Sequence, residues 1–235
     1  MKRNTFQRRL KEGAIWLCAI LSPLPWGGVG GGLLSSCSES EDDEGEFANW
    51  QQRNEQFFAS LEDSLKAHPT VWLKYKSFTL DEGSEGKSTD YIYAKVVETG
   101  GGLDSPMYTD SVRVSYQGRL IPSATFPEGY VFDGTVYGKY SSATNASVRQ
   151  NLTVNIDGYT TALLHMHRGD HWRIYIPSDL GYGDKGNDSG TIPGHSVVVF
   201  DVTLIDFSPA GEPMPAWSSR RRESAAPCRA ASVTW

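Results

Sequence analysis

Apolar and polar positions alternate in two rhythms along this chain. Trp50, Phe57, Phe58, Leu61 and Leu65 are separated by polar residues at the spacing of one helical face. His68-Pro69 ends that pattern, because a residue before proline is pushed out of helical geometry. Period two then takes over. Residues 91–97 (YIYAKVV) read as a strand and break at Gly100-Gly101-Gly102. Val112, Val114 and Tyr116 alternate up to Gly118, Trp172, Ile174 and Ile176 alternate with Arg173 and Tyr175, and Val198, Phe200, Val202 and Leu204 form a third set. Leu152, Val154 and Ile156 alternate as well. Helical spacing returns at Tyr159, Ala162, Leu163 and Met166, with Gly169 placed to end the helix as a C′ glycine. Residues 81–90, the Pro122–Gly129 stretch and residues 138–151 read as loops. So short a helix is stable only with its stripe on a sheet, so the pattern predicts an α+β domain.

The boundaries follow composition. Residues 1–36 read as a targeting segment, 37–46 as an acidic tether, 47–80 as a helical arm, 91–207 as the folded domain and 208–235 as a disordered tail rich in Pro, Ser, Ala and Arg. Two readings of the arm stay open: its apolar stripe docks on the domain's own flank, or it forms a homodimer interface. At the N-terminus Lys2, Arg3, Arg8, Arg9 and Lys11 precede a short apolar run, Ala14–Leu21, too short to span a bilayer. Leu34-Ser35-Ser36-Cys37 resembles a bacterial lipobox, in which the cysteine is acylated after cleavage. Acyl chains on Cys37 would anchor the protein to a membrane without a transmembrane helix, and Ser38 resembles the residue of lipoproteins sent to the outer membrane.

Composition narrows the chemistry. With 39% hydrophobic residues the chain can bury a core. Without residues 1–36 it carries 17 basic and 27 acidic residues, a net −10 that argues against nucleic acid as a partner. Cys18, Cys37 and Cys228 are far apart and make neither a disulfide framework nor a zinc ribbon. His165, His167 and His171 lie close in sequence, but where a helix turns into a strand their side chains should diverge, so no metal site is assigned. No phosphate-binding loop or nucleophile elbow is present, and no cofactor is expected.

One set of motifs remains: Val112-x-Val114-x-Tyr116-x-Gly118, Val131-Phe132-Asp133, Ile156-Asp157-Gly158-Tyr159, Met166-x-x-Gly169, Ile176-Pro177, Gly181-Tyr182-Gly183, Thr191-Ile192-Pro193-Gly194 and Val199-Phe200-Asp201-Val202. Singly each is common. In this order and spacing they resemble the FKBP-type peptidyl-prolyl cis-trans isomerases, over about Tyr91 to Phe207, and the whole chain resembles that family's Gram-negative lipoprotein members. The resemblance implies an FKBP-like α+β fold, a strongly bent antiparallel β-sheet wrapped on one short α-helix, here with the N-terminal helical arm. It implies that Tyr116, Phe132, Asp133, Ile156, Tyr182 and Phe200 carry the isomerisation, and that Tyr159, Ile192 and Asn155 contact substrate. Tyr159 stands where the family usually has Trp, and Asn155 where it usually has Val.

The implied function is prolyl isomerisation of proline-containing polypeptides in the cell envelope. The alternative is a non-catalytic chaperone or binding module that uses the same groove. Read by themselves, Phe132, Phe200 and Ile192 are core residues, Asp133 is a turn residue and Tyr182 a turn plug; only their joint order assigns them to a site.

Overall fold

The computed structural model describes residues 45–81, 83–141 and 145–214. The targeting segment, Cys37, most of the acidic tether and the tail beyond residue 214 lie outside the described residues.

Helix α1, Trp50–Ala67, carries the expected stripe and stops at His68, whose N–H donates to the Ser64 carbonyl. Seven strands follow: β1 (Trp72–Lys76), β2 (Tyr91–Glu98), β3 (Ser111–Leu120), β4 (Val131–Gly134), β5 (Val148–Asn151), β6 (His171–Ile176) and β7 (Val198–Ser208). Helix α2, Asp157–His165, lies between β5 and β6. The strands form one antiparallel sheet in the order β1-β2-β6-β7-β3-β4, with β5 also paired to β3. Register shifts interrupt the β2–β6, β3–β4 and β3–β7 ladders. Each bends a strand and adds twist, which makes the sheet open and curved.

Helix α2 closes the core. Ala162, Leu163 and Met166 are fully buried with Ile92, Val112, Val114, Ile174, Val202 and Leu204. A Cβ on Gly158 would lie 2.3 Å from Ile176 Cγ2, so only glycine lets the first turn of α2 approach the sheet this closely. Its buried hydroxyls are satisfied locally: Thr160 donates to the Leu152 carbonyl and Thr161 to that of Asp157.

Four expectations are corrected. Residues 47–80 are not helical throughout, because Trp72–Lys76 forms β1, which pairs with β2 from Trp72↔Lys95 to Lys76↔Tyr91. The stripe of α1 docks on the chain's own flank: Trp50, Phe58 and Leu61 join the core, with Phe57 and Leu65 packed against it. That burial takes the apolar face a dimer interface would have used. Residues 138–151 are not all loop, since 148–151 form β5 on the edge of β3. Leu152–Val154 is a 3-10 turn and not a strand. Asn151 Oδ1 accepts the Thr153 N–H at 3.0 Å, which closes a local turn and turns Val154 out to 80% exposure. Finally, α2 ends at His165, four residues before Gly169. Met166 adopts extended backbone and drops into the core, and Gly169, at φ 90°, sits in the following turn with its N–H on the Leu204 carbonyl.

Among the described residues no helix is long and apolar enough to cross a membrane.

Candidate active site

Five aromatic rings converge between α2 and strands β3, β4 and β7. Phe200 is their hub. Its ring centroid lies 5.0 Å from Tyr159, 5.6 Å from Phe132 and 6.3 Å from Tyr116. Tyr182 meets Phe132 edge-on at 6.4 Å, and Tyr116 meets Tyr159 at 6.3 Å. Such edge and tilted pairs suit the quadrupoles of the rings.

Backbone register explains the convergence. Gly118 of β3 pairs with Asp133 of β4 on one side and Phe200 of β7 on the other. A Cβ at Gly118 would fall 2.7 Å from ring atoms of both Phe132 and Phe200, so the two rings meet over a position that must lack a side chain. The shift between Gly118 and Arg119 lets β4 carry Phe132 inward. Tyr159 hangs from the first turn of α2, and Tyr182 comes from the loop between β6 and β7.

The polar groups are few. Tyr116 Oη donates to Asp133 Oδ2 at 2.7 Å, and Asp133 Oδ1 accepts the Gly134 N–H at 2.8 Å. The exposed Asp133 carboxylate is therefore held in one orientation at the rim. Burial, then the hydrogen bond to Asp133, pushes the Tyr116 phenol well above its ordinary pKa. Burial and the Asp133 charge raise Tyr182 in the same way. Burial raises Tyr159 well above its ordinary value, with Tyr116 and Asp133 adding to it. All three phenols stay neutral at physiological pH. The Tyr159 Oη is buried without a hydrogen-bond partner among the described residues. Ile156 caps α2 with extended backbone, and its N–H donates to no acceptor among the described residues. Unpaired N–H groups at a helix start are ready to receive a carbonyl.

The other expected residues divide. Ile192 is 1% exposed inside the loop after Tyr182, where its backbone is bonded to Asn187 on both sides, so it braces the loop from the core. The Asn155 carboxamide donates to the Asn151 carbonyl at 3.2 Å. Asp201, next to Phe200, belongs to the opposite face and takes a bidentate ion pair from Arg173 at 2.8 and 3.0 Å across the β6–β7 ladder.

The histidines take separate neighbours. His165 stacks on Tyr75 at 4.0 Å, His167 faces Asp170 at 3.5 Å and His171 packs beside Tyr140 at 5.3 Å. Sequence reasoning missed Thr135, which clamps the strand under the site: its Oγ1 accepts the Tyr116 N–H at 3.0 Å and its N–H donates to the Tyr116 carbonyl at 2.8 Å. It also missed Tyr137, which is 79% exposed and adds to the upward shift of Tyr116. A polar residue and an exposed tyrosine after a Gly turn carry no distinguishing pattern.

The same stretch of chain resembles known proteins. Residues 103–205 match the model of the FKBP-type peptidyl-prolyl cis-trans isomerase domain. The chain is 35% identical over 135 residues to the FKBP-type peptidyl-prolyl cis-trans isomerase FkpA of Escherichia coli, covering 57% of this chain and 44% of that one. It is 35% identical over 116 residues to the macrophage infectivity potentiator of Trypanosoma cruzi, covering 49% and 53%. To the outer membrane protein MIP of Legionella longbeachae it is 32% identical over 116 residues, covering 49% and 44%. The chain thus spans about half the length of the curated relatives it matches. The five converging rings and the oriented rim aspartate all lie within residues 103–205, the stretch that matches the FKBP-type peptidyl-prolyl cis-trans isomerase domain.

Proposed function

We propose that the protein is a peptidyl-prolyl cis-trans isomerase acting on Xaa-Pro segments of other polypeptides in the cell envelope. The observation that carries the reading is the packing of Phe132, Tyr159 and Tyr116 around the Phe200 ring, with Tyr182 edge-on to Phe132. Partial double-bond character gives the prolyl bond a barrier of about 18–20 kcal/mol. The twisted transition state has lost that conjugation and is less dipolar than the planar amide. An apolar pocket therefore stabilises the twisted form relative to the planar one, without a nucleophile, a metal or a proton transfer.

Each residue then has a role. Phe132, Tyr159 and Phe200 wall the proline ring. The Ile156 N–H and the Tyr182 hydroxyl hold carbonyls flanking the bond, so that it rotates while its neighbours stay still. Asp133, fixed by Tyr116 and Gly134, sets the electrostatic field at the rim and transfers no proton. The basic N-terminus, the apolar run and the lipobox-like Leu34-Ser35-Ser36-Cys37 support an address in the envelope of a Gram-negative bacterium, with acyl chains on Cys37 as the anchor. The name of the Legionella relative supports an outer-membrane address.

The test is exchange NMR on a short Leu-Pro peptide with and without the protein. Faster cis-trans exchange at equimolar protein supports the reading. Peptide binding with no acceleration would leave a non-catalytic binding module in its place.

A further inference from the structure

A cleft of about 430 Å³ opens on the flank of the sheet, between α1 and residues 88–89, 177–178 and 195–197. Its volume is that of a small-ligand site. None of the five aromatic-site rings lines it. Phe58, Tyr93, Pro177 and Val197 give it apolar surface.

Two polar networks fix these walls. Asn54, 1% exposed, accepts the Val197 N–H at 2.8 Å and donates to the Trp50 carbonyl at 2.7 Å. Tyr93, 2% exposed, donates to Glu62 Oε2 at 2.5 Å, and Lys74 Nζ donates to the same oxygen at 2.8 Å while lying 5.2 Å from the Tyr93 ring centre. The cleft is thus a built feature and not a gap between loose side chains.

Its charge is unbalanced. Glu62 and Lys74 neutralise each other. Glu55, exposed at the rim, is bonded to the neutral Gln51 carboxamide at 2.8 Å, and no cation pairs with it among the described residues. The Ser88, Thr89 and Ser178 side chains add hydroxyls that suit peptide amides. We propose that this cleft is a second polypeptide-binding site, separate from the prolyl site. It takes an apolar side chain next to a Lys or Arg from an extended segment, with the apolar group against Phe58, Tyr93 and Val197 and the cation on Glu55.

The cleft also reaches the loop that presents Tyr182. The Ser178 carbonyl accepts the N–H groups of Gly181 and Gly183, and the Gly183 carbonyl accepts that of His195. A segment seated against Ser178 and His195 therefore bears on both anchors of that loop, and its binding is read at Tyr182 as well as in the cleft.

The experiment is a titration of the 15N-labelled full chain with the proline-free peptide acetyl-Ala-Phe-Lys-Ala-amide, and with its Glu counterpart. Expected are amide shifts at Thr89, Tyr93, Ser178 and Val197, with a smaller one at Tyr182, and about threefold tighter binding of the Lys peptide, the size of an exposed ion pair. Glu55→Gln removes that preference. Ala59→Phe, which fills the cleft from an exposed position on α1, weakens binding by about tenfold, or 1.4 kcal/mol. Both variants leave Leu-Pro exchange unchanged, and because the probe lacks proline its binding is independent of whether the protein isomerises anything. Absence of shifts at the four cleft amides at millimolar peptide, equal affinity for the two peptides, or undiminished binding by Ala59→Phe overturns the proposal.

Discussion

The flank where α1 docks and the aromatic site bury similar residue types and treat their polar atoms differently. On the flank, Trp50 Nε1 donates to Ser196 Oγ at 2.8 Å, Asn54 bridges Trp50 and Val197, and Tyr93 shares Glu62 with Lys74. At the site the Tyr159 hydroxyl has no partner and the Ile156 N–H donates to nothing among the described residues. A buried polar atom without a partner costs folding free energy, so packing that serves stability closes its networks. Open valences beside the rings mark atoms whose partner is not part of the fold.

The largest expected effect tests the flank. Trp50→Ala removes a 7% exposed indole and its bond to Ser196, and should destabilise the protein by about 3–5 kcal/mol in urea titration. Prolyl turnover per folded molecule should be retained. A loss of turnover in protein that remains folded would show that the two regions are not separable.

The next effect separates catalysis from stability at the site itself. Phe200→Ala opens the hub of the five rings and should lower turnover on a Leu-Pro peptide by about a hundredfold, whereas Asp133→Ala, which removes only a rim charge, should lower it by about tenfold. Exchange NMR gives both rates. The reverse order would contradict an apolar-pocket mechanism.

One substitution made in both regions sharpens the contrast further. Tyr93→Phe deletes a hydroxyl bonded to a carboxylate and should cost about 1.5–3 kcal/mol. Tyr159→Phe deletes a hydroxyl without a partner among the described residues and should stabilise the fold by about 1 kcal/mol. Denaturant midpoints of the two variants decide it, and destabilisation by Tyr159→Phe would mean that its hydroxyl has a partner. The alkaline limb carries the same information. Burial raises the Tyr159 phenol above its unfolded value, so its contribution is fully present below that value and is lost as pH rises toward the folded one. Tyr159→Phe removes that loss.

The sequence made these two regions unequally legible. Long, one-faced patterns were readable: the stripe of α1 and the alternation in β3, β6 and β7 survive because burial on one side imposes a period. The site residues were legible only as an ordered set of motifs, since each alone is an ordinary core or turn residue. Edge strands were not readable. Strand β5, Val-Arg-Gln-Asn, has one apolar residue and pairs on a single side, and β1 is five residues long with its partner register set by β2 some twenty residues on. Nor did periodicity reveal that Asn151 would close a local turn, or that the Asn155 side chain would face the Asn151 backbone, because side-chain bonds to nearby backbone compete with any period. The networks of the flank join residues as distant as Trp50 and Ser196, a pairing no local pattern contains.

The smallest effect lies at the acid end and should belong to the flank alone. Hydrogen bonds from Lys74 and Tyr93 hold the Glu62 carboxyl below its ordinary pKa. The folded state therefore binds that proton less tightly than the unfolded chain. Its contribution is present above the unfolded pKa and is lost as pH falls through the lowered folded one. Solvent screens the half-exposed pair, so its contribution to stability is small. Melting curves through the carboxylate range should show Glu62→Gln with a shallower acid limb than the parent, and Tyr159→Phe with an unchanged one, since a phenol does not titrate there. An acid limb altered by Tyr159→Phe would mean that the open hydroxyl at the site is coupled to a carboxylate, and the division between a closed flank and an open site would fail at the one atom on which it most depends.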